Sequence, residues 1–350
     1  MEIPQTLLHV LAFIGTLVCL AVLERTFDFI SFHFTTPAKP LHSYRRPGPK
    51  PTYALITGAS AGIGYGIAQA LVKIGFGVIL LGHKEDELAR AAEHLQTLIP
   101  DEHRAQADGI VKIIVMNAQT ATPEEMEDKL RATIIDGELR VSILVNNVGS
   151  NPIAPPAFRD LRTYSPEEID AMIDLNARFM ARLTALMLPV LVHRGAGVDE
   201  RGMTYGTHRY SLILNMSSGG QVGLPWLVMY GATKAFNLAF SRGLSRELEA
   251  DPETRHIDCL CVVPGDVKSQ GNSMGNTRGS PDSKTYGRYI VERVDGAVRR
   301  GWREMSPYWL HHLQVMAVNR LPERYVTRGV SDVNKAKIEA CNATSKPKDQ

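Results

Sequence analysis

The strongest constraint on the fold is a series of short apolar runs, at residues 54–57, 78–81, 113–116, 143–146, 212–215 and 260–263, with helical stretches between most of them. A strand with one wet face alternates apolar and polar residues, whereas a short run that is apolar throughout suits a strand buried on both faces. Burial on both faces needs a layer of helices on each side. The alternation therefore predicts an α/β fold with a doubly wound parallel sheet. Two of the helices announce their starts. Thr122-Pro123-Glu124-Glu125 and Ser165-Pro166-Glu167-Glu168 read as capping boxes with proline at the first helical position. A chain of 350 residues accommodates one large domain of this kind with appendages.

The appendages lie at the ends. Residues 7–23 are apolar apart from His9, Gly15 and Thr16, and Phe27, Phe29, Ile30, Phe32 and Phe34 extend the run. A helix that spans a bilayer needs ~20 such residues. The start, Met1-Glu2-Ile3-Pro4, is not basic and no Ala-x-Ala follows, so a retained transmembrane helix is expected over a cleaved signal peptide. Basic residues follow the run at Arg25, Lys39, Arg45, Arg46 and Lys50 and none precede it, which places the folded domain in the cytosol. Residues 35–51 carry Pro37, Pro40, Pro47, Pro49 and Pro51, a density expected of a stiff extended linker without a core. The organisation read from the sequence is a membrane anchor at 1–34, the linker at 35–51, the α/β domain at 52–330 and a polar tail at 331–350.

Composition excludes more than it selects. A net charge of +2 gives no footing for nucleic acid. Cys19, Cys259, Cys261 and Cys341 form neither a disulfide framework nor a metal-ligand spacing, which favours a reducing compartment.

Two loops point to a dinucleotide. Gly58, Gly62 and Gly64, with Ser60 and Ile63 among them, follow the first strand and open the first helix. Glycines there allow the turn and the close approach of a pyrophosphate to the helix N-terminus. The second strand ends Leu80-Leu81-Gly82-His83-Lys84. An acidic residue at that place would bind the 2′-hydroxyl of NAD. His83 and Lys84 instead offer positive charge to the 2′-phosphate, so NADP(H) is the expected cofactor. Asn117, after the third strand, can hydrogen-bond the adenine. Tyr230 and Lys234 lie four apart in a helical stretch, which puts a phenol and an ammonium on one face. The cation is expected to lower the phenol pKa and make it a proton donor to a carbonyl oxygen.

With Asn146-Asn147-Val148-Gly149 and Ser217-Ser218 in fixed order between these motifs, residues 52–270 resemble the short-chain dehydrogenase/reductase family, and with it a Rossmann fold. The resemblance implies four catalytic residues. Tyr230 is the acid, Lys234 its partner and the holder of the nicotinamide ribose, Ser218 the hydrogen-bond donor to the substrate oxygen, and Asn176 the holder of a relay water. It also implies that Asn147, Val267 and Ser269 lie along the cofactor. Spacing to the tyrosine leaves Ser217 as the alternative to Ser218. The anchor and the segment Ser306-Pro307-Tyr308-Trp309 are similar to the branch of very-long-chain 3-oxoacyl-CoA reductases and 17β-hydroxysteroid dehydrogenases. That branch implies a lipid-like substrate, with 3-oxoacyl-CoA first and a steroid, triterpenoid or other secondary metabolite as the alternative, and a homodimer. An extra segment near 195–207 and the glycine in Val263-Pro264-Gly265 depart from it. Lys346 and Lys348 resemble the Lys-x-Lys-x-x signal of endoplasmic reticulum membrane proteins. A non-catalytic nucleotide-binding scaffold on the membrane is the competing class, motivated by His83, Asn117 and the short Ser–Tyr spacing.

Overall fold

The computed structural model describes residues 4–345 apart from 36, 102, 104–108, 152–154, 193–209 and 274. The extra segment near 195–207 and the tail lysines Lys346 and Lys348 lie outside the described residues. Seven parallel strands make one sheet in the order β3-β2-β1-β4-β5-β6-β7. They are β1 (Thr52–Thr57), β2 (Gly77–Gly82), β3 (Val111–Val115), β4 (Arg140–Asn146), β5 (Ser211–Met216), β6 (Ile257–Val262) and β7 (Glu304–Met305). The doubly wound α/β architecture is thus as the apolar runs predict. The seventh strand, only two residues long and paired to Cys261 and Val262, carries no apolar run of its own.

Side chains along each strand point alternately to two separate cores. Ala54, Ile56, Val78 and Leu80 enter the layer beneath α2 (Gly62–Lys73) and α8 (Ser283–Arg299). Tyr53, Leu55, Ile79 and Leu81 enter the opposite layer, beneath α4 (Pro123–Leu130), α6 (Phe179–Val192) and α7 (Val228–Ala250). Each fully buried Ile or Leu contributes roughly 1.5–3 kcal/mol. Helices α2 and α8 approach closely because both contact points are glycines. A Cβ on Gly287 would sit 2.3 Å from the carbonyl carbon of Gly66. Both expected N-caps form, though only the second is a complete capping box. Thr122 accepts from the Glu125 N–H, and Ser165 completes a capping box with Glu168 at the head of α5 (Pro166–Ile173). Helix α3 (Glu85–Gln96) packs outside β2 and β3.

Helix α1 (Gln5–Phe34) is solvent-facing until its last turns. Among the described residues two helices are long and apolar enough to cross a membrane: α1, whose most apolar window is 0% buried, and Pro166–Val192, 44% buried against the sheet. The linker expected to lack a core is in fact docked. Leu41 and Tyr44 are fully buried. The Tyr44 hydroxyl donates to Asp258 at 2.7 Å, and Arg46 donates to the Ser211 hydroxyl at 2.7 Å. These partners begin β6 and β5, so the linker runs along the N-terminal edge of the sheet. Two further helices close the chain, α9 (Trp309–Val318) and α10 (Glu323–Ser345). The second runs unbroken across position 331, where the sequence reading puts the start of a polar tail.

Candidate active site

The chain order 1-4 at the middle of the sheet creates a crevice beyond the carboxyl ends of β1 and β4, the place where parallel sheets bind ligands. Gly58 and Gly62 hold φ of 61° and 62°, conformations that strain any residue with a Cβ. Gly64 packs so tightly that a Cβ would sit 2.4 Å from the Gly58 carbonyl oxygen. Ala61, which precedes α2, supplies no side-chain cap, so the first N–H groups of that helix are left for an anion. Asn147 braces the turn from β4. Its amide donates to the Thr57 and Gly58 carbonyls at 3.0 and 3.1 Å, while the Thr57 hydroxyl accepts from the Asn147 and Val148 N–H groups at 2.9 Å. Half-buried Ser60 and Ile63 lie in the same turn. This geometry fits a dinucleotide pyrophosphate.

The four residues expected to act together do converge. Lys234, 4% exposed, donates its ammonium to the carbonyl of Met216, the last residue of β5, at 3.2 Å. Asn176 sits in a π-helical turn, Asp174–Arg178, that interrupts the run from α5 to α6. The widened turn aims its carboxamide at Ser150, accepting from the N–H at 2.8 Å and donating to the carbonyl at 3.0 Å. A Cβ on Gly149 would lie 2.7 Å from Lys234 Nζ and 2.9 Å from Asn176 Oδ1, so both face one small space. The Ser218 hydroxyl faces the Tyr230 ring, the two lying 3.5 and 3.3 Å from the Cβ position of Gly220. Ser217 is turned the other way, with its hydroxyl donating to Gln221 Oε1 or the Lys234 carbonyl at 2.7 Å. Of the two serines, only Ser218 faces the tyrosine.

Electrostatics run against one expectation. Burial, opposed only by the nearby Ser218 hydroxyl, pushes the Tyr230 phenol up. Burial also pushes Lys234 down, to about 8. The ammonium lies 5.8 Å from the centre of the phenol ring, too far here to outweigh the loss of water. In the free protein Tyr230 is therefore a protonated acid at neutral pH.

The remaining expected contacts divide. Ser269 comes alongside the glycine turn, its Cβ 3.8 Å from where one on Gly62 would be. Val267 points into the core at 4% exposure, leaving only its backbone for a ligand. Asn117 is exposed and accepts from the Gln119 N–H at 3.0 Å. His83 and Lys84 are exposed at the end of β2. Residues 52–278 match the family model described as short chain dehydrogenase.

The chain belongs to the short-chain dehydrogenase family. Its relatives include the very-long-chain 3-oxoacyl-CoA reductase of Candida albicans, 30% identical over 293 residues, with 82% of this chain and 76% of the relative covered. The reductase of the same name from Aspergillus clavatus is 32% identical over 299 residues, covering 80% and 72%. Among solved structures, a short chain dehydrogenase from Pseudomonas syringae superposes with a TM-score of 0.60 at 20% identity, covering 77% and 98%. A short-chain dehydrogenase from Sphingobium yanoikuyae in complex with NADPH gives 0.55 at 23%, covering 78% and 97%. These two likenesses speak for the fold.

This short-chain dehydrogenase has site-supporting residues that no local motif announces. Glu87, one turn into α3, takes the Lys84 ammonium at 2.8 Å and the Ser60 hydroxyl at 3.2 Å. The cation at the end of β2 is thus already paired, and a carboxylate touches the glycine turn. His311 on α9 accepts from the Gly265 N–H and bonds the Asp266 carbonyl, both at 3.1 Å. Burial pushes it down to about 4, so it stays neutral and fixes that loop. An apolar groove of about 460 Å³, lined in part by Val222, Leu224, Pro225 and Val228, opens beside Tyr230. Leu224 and Tyr230 are both 3.3 Å from the Cβ position of Gly220.

Proposed function

We propose that this dehydrogenase uses NADPH to reduce the ketone of a lipid-like substrate, a long-chain 3-oxoacyl-CoA, at the cytosolic face of the endoplasmic reticulum membrane. The observation that carries the reading is the meeting of Asn176, Ser218, Tyr230 and Lys234 beside the glycine turn. Gly58, Gly62 and Gly64, the free N–H groups of α2, Asn147, Ser269 and Lys234 would hold the cofactor, which supplies the hydride. Tyr230, protonated and beside Ser218, gives its proton to the oxygen of the reduced carbonyl. Ser218 donates a hydrogen bond to the same oxygen. Lys234 keeps a positive charge near the phenol as the phenolate forms, which lowers the cost of losing that proton. Asn176 fixes the backbone of Ser150 and the space that Lys234 faces.

The lipid-like class rests on the apolar groove beside Tyr230, and 3-oxoacyl-CoA on the names of the relatives. NADPH rests on Lys84 and His83 and on the absence of a carboxylate at Gly82. The paired Lys84 weakens that support without removing it. The membrane location rests on the exposed apolar helix α1 and its basic flank. Phe236 on α7, 44% exposed and stacked on Phe240, supports a homodimer through that helix. The test is turnover of long-chain 3-oxoacyl-CoAs and ketosteroids by the purified full chain and by Tyr230→Phe. We expect acyl-CoA reduction with NADPH and a loss of about 10²–10⁴-fold in the variant, with cofactor affinity unchanged. Cofactor binding without turnover on any substrate would establish the scaffold reading instead.

A further inference from the structure

The anchor is not tethered loosely to the dehydrogenase; it is locked to it. Helix α1 first touches the domain at Asp28, which pairs with Arg300 at 2.5 Å. One residue later Phe29 packs on His312 of α9, ring centres 5.3 Å apart. Phe32 is buried against Trp302. His33 shares a 2.8 Å hydrogen bond with His312 and gives its carbonyl to Arg293 at 2.6 Å. The apolar run of α1 ends at Leu23, followed by Glu24 and Arg25. At 1.5 Å per residue, Phe29 lies only about 9 Å beyond Leu23 along the helix axis. If the run crosses a bilayer, α9 is within about two helical turns of its surface.

Helix α9 has the chemistry for that position. Around its axis, at about 100° per residue, His311 and Val315 point into the protein and His312 meets α1. Trp309 and Leu313 fall together on the flank beyond His312, 40% and 41% exposed. The turn into α10 adds Leu321 and Tyr325, 50% and 52% exposed. Residues 309–328 carry Arg320, Arg324 and Arg328 against the single acid Glu323. An exposed Trp and Tyr with two exposed leucines, in a segment that carries three arginines, match the aromatic and basic composition of a membrane–water interface.

We propose that the outer face of α9 and its turn into α10, Trp309, Leu313, Leu321 and Tyr325, rest in the headgroup layer of the bilayer that α1 enters. This goes beyond the anchor and rests on the reading of α1 as membrane-inserted. The occupant is lipid and not a second copy of the chain, because α9 packs on the last turns of the anchor through the His33–His312 contact and residues 309–328 carry net positive charge. The consequence for the site is direct. Helix α10 leaves this surface and reaches both lips of the active site, with Asn334 donating to the Pro225 carbonyl at 2.9 Å and Lys337 paired with Asp266 at 2.8 Å. The helix that starts at this surface therefore also borders the groove at Pro225.

The tryptophans, Trp226, Trp302 and Trp309, supply the probe. Full-length protein and Trp309→Phe are reconstituted in vesicles of phosphatidylcholine and phosphatidylserine, floated, and their fluorescence compared. Lipids carrying a nitroxide near the headgroup should extinguish most of the emission that distinguishes the two proteins, and aqueous acrylamide little of it. Leu313→Trp in the Trp309→Phe background places a second reporter on the same face and should behave alike. Protein that floats while this emission ignores the nitroxide overturns the proposal and leaves the anchor standing. Emission shielded from both quenchers marks a covering protein copy and also overturns it. Protein that fails to float removes the anchor reading and the proposal together.

Discussion

Gly149→Ala isolates the geometry of the site from the stability of the fold. The φ of Gly149 is not left-handed, and its three nearest neighbours are all side-chain atoms: Lys234 Nζ at 2.7 Å, Asn176 Oδ1 at 2.9 Å and Lys234 Cε at 3.6 Å. Alanine is therefore allowed by the backbone, and loss of glycine's freedom in the unfolded chain offsets part of any strain. The new methyl must be met by movement of the lysine tip. To restore an ordinary contact of 3.4 Å, Nζ retreats by 3.4 − 2.7 = 0.7 Å. A displacement on the order of 1 Å costs about 10²-fold when it misaligns reacting groups, so kcat should fall roughly 10- to 100-fold. The melting temperature should move by only a few degrees, a shift of about 1 kcal/mol or less. Gly64→Ala is the contrast. Its Cβ would meet the Gly58 carbonyl oxygen at 2.4 Å, backbone that cannot swing aside, and cofactor binding or folding should fail. The assay is consumption of reduced nicotinamide, with cofactor Kd and thermal melts on the same samples. A Gly149→Ala enzyme with wild-type kcat, or one whose activity falls only as its stability falls, would refute the placement of Lys234 and Asn176 at the reacting centre.

Three further outcomes follow from particular contacts. Glu87→Gln frees Lys84 and removes a carboxylate from Ser60; because the pair is half-exposed, the gain in NADPH over NADH affinity should be modest, about 1 kcal/mol or several-fold, read as the ratio of the two Kd values. Asp258 is pushed from 3.8 up to about 6 by burial, so between those values the folded chain holds a proton that the unfolded chain has lost. Its contribution to stability is present below about 4 and lost as pH rises through about 6; Asp258→Asn should flatten denaturant midpoints across that window and raise the midpoint at pH 7 relative to wild type. Deleting residues 1–27 should release the protein from membranes without changing its melting temperature, whereas deleting 1–34 also strips Phe32 from its pocket and should cost several degrees, on the order of the 3–5 kcal/mol for removing a buried Phe.

What was legible in the sequence is what is encoded over a few residues. Each of the first six strands is a local apolar run, the N-caps at Thr122 and Ser165 are four-residue patterns, and the glycine turn needs only Gly58, Gly62 and Gly64. The meeting of Asn176, Ser218, Tyr230 and Lys234 was legible only through the resemblance of their order to the family, because three of the four sit on helical turns whose packing no local pattern gives. Beyond that range the reading failed for physical reasons. Proline spacing says that residues 35–51 are extended, but not that Tyr44 finds Asp258, 214 residues away. Tyr-x-x-x-Lys spacing says that the two groups share a helix face, but not that burial outweighs the cation in setting the Tyr230 pKa. Lys84 was read from its position at the end of β2, whereas its ammonium is paired with Glu87 on the next helix.

The same limit bears on where the catalytic unit ends. The family match stops at residue 278, yet the loop that brings Ser269 to the glycine turn is held from beyond that point. His311 fixes the backbone at Gly265 and Asp266, and a Cβ on Gly265 would run into its ring at 2.6 Å. Burial raises the Asp266 carboxyl, but Lys337 and the hydrogen bonds from Thr277 and Asn272 outweigh it and hold the group below its usual range. Without Lys337 a buried carboxylate would stand uncompensated in a loop that borders the pyrophosphate turn, where like charge disfavours a dinucleotide. The partner of Asp266 lies on α10, the helix that also bonds Pro225 across the groove. Residues 309–345 thus join the loop at 265–269 to the groove at Pro225, and the structural unit around the four converging side chains extends past the family match.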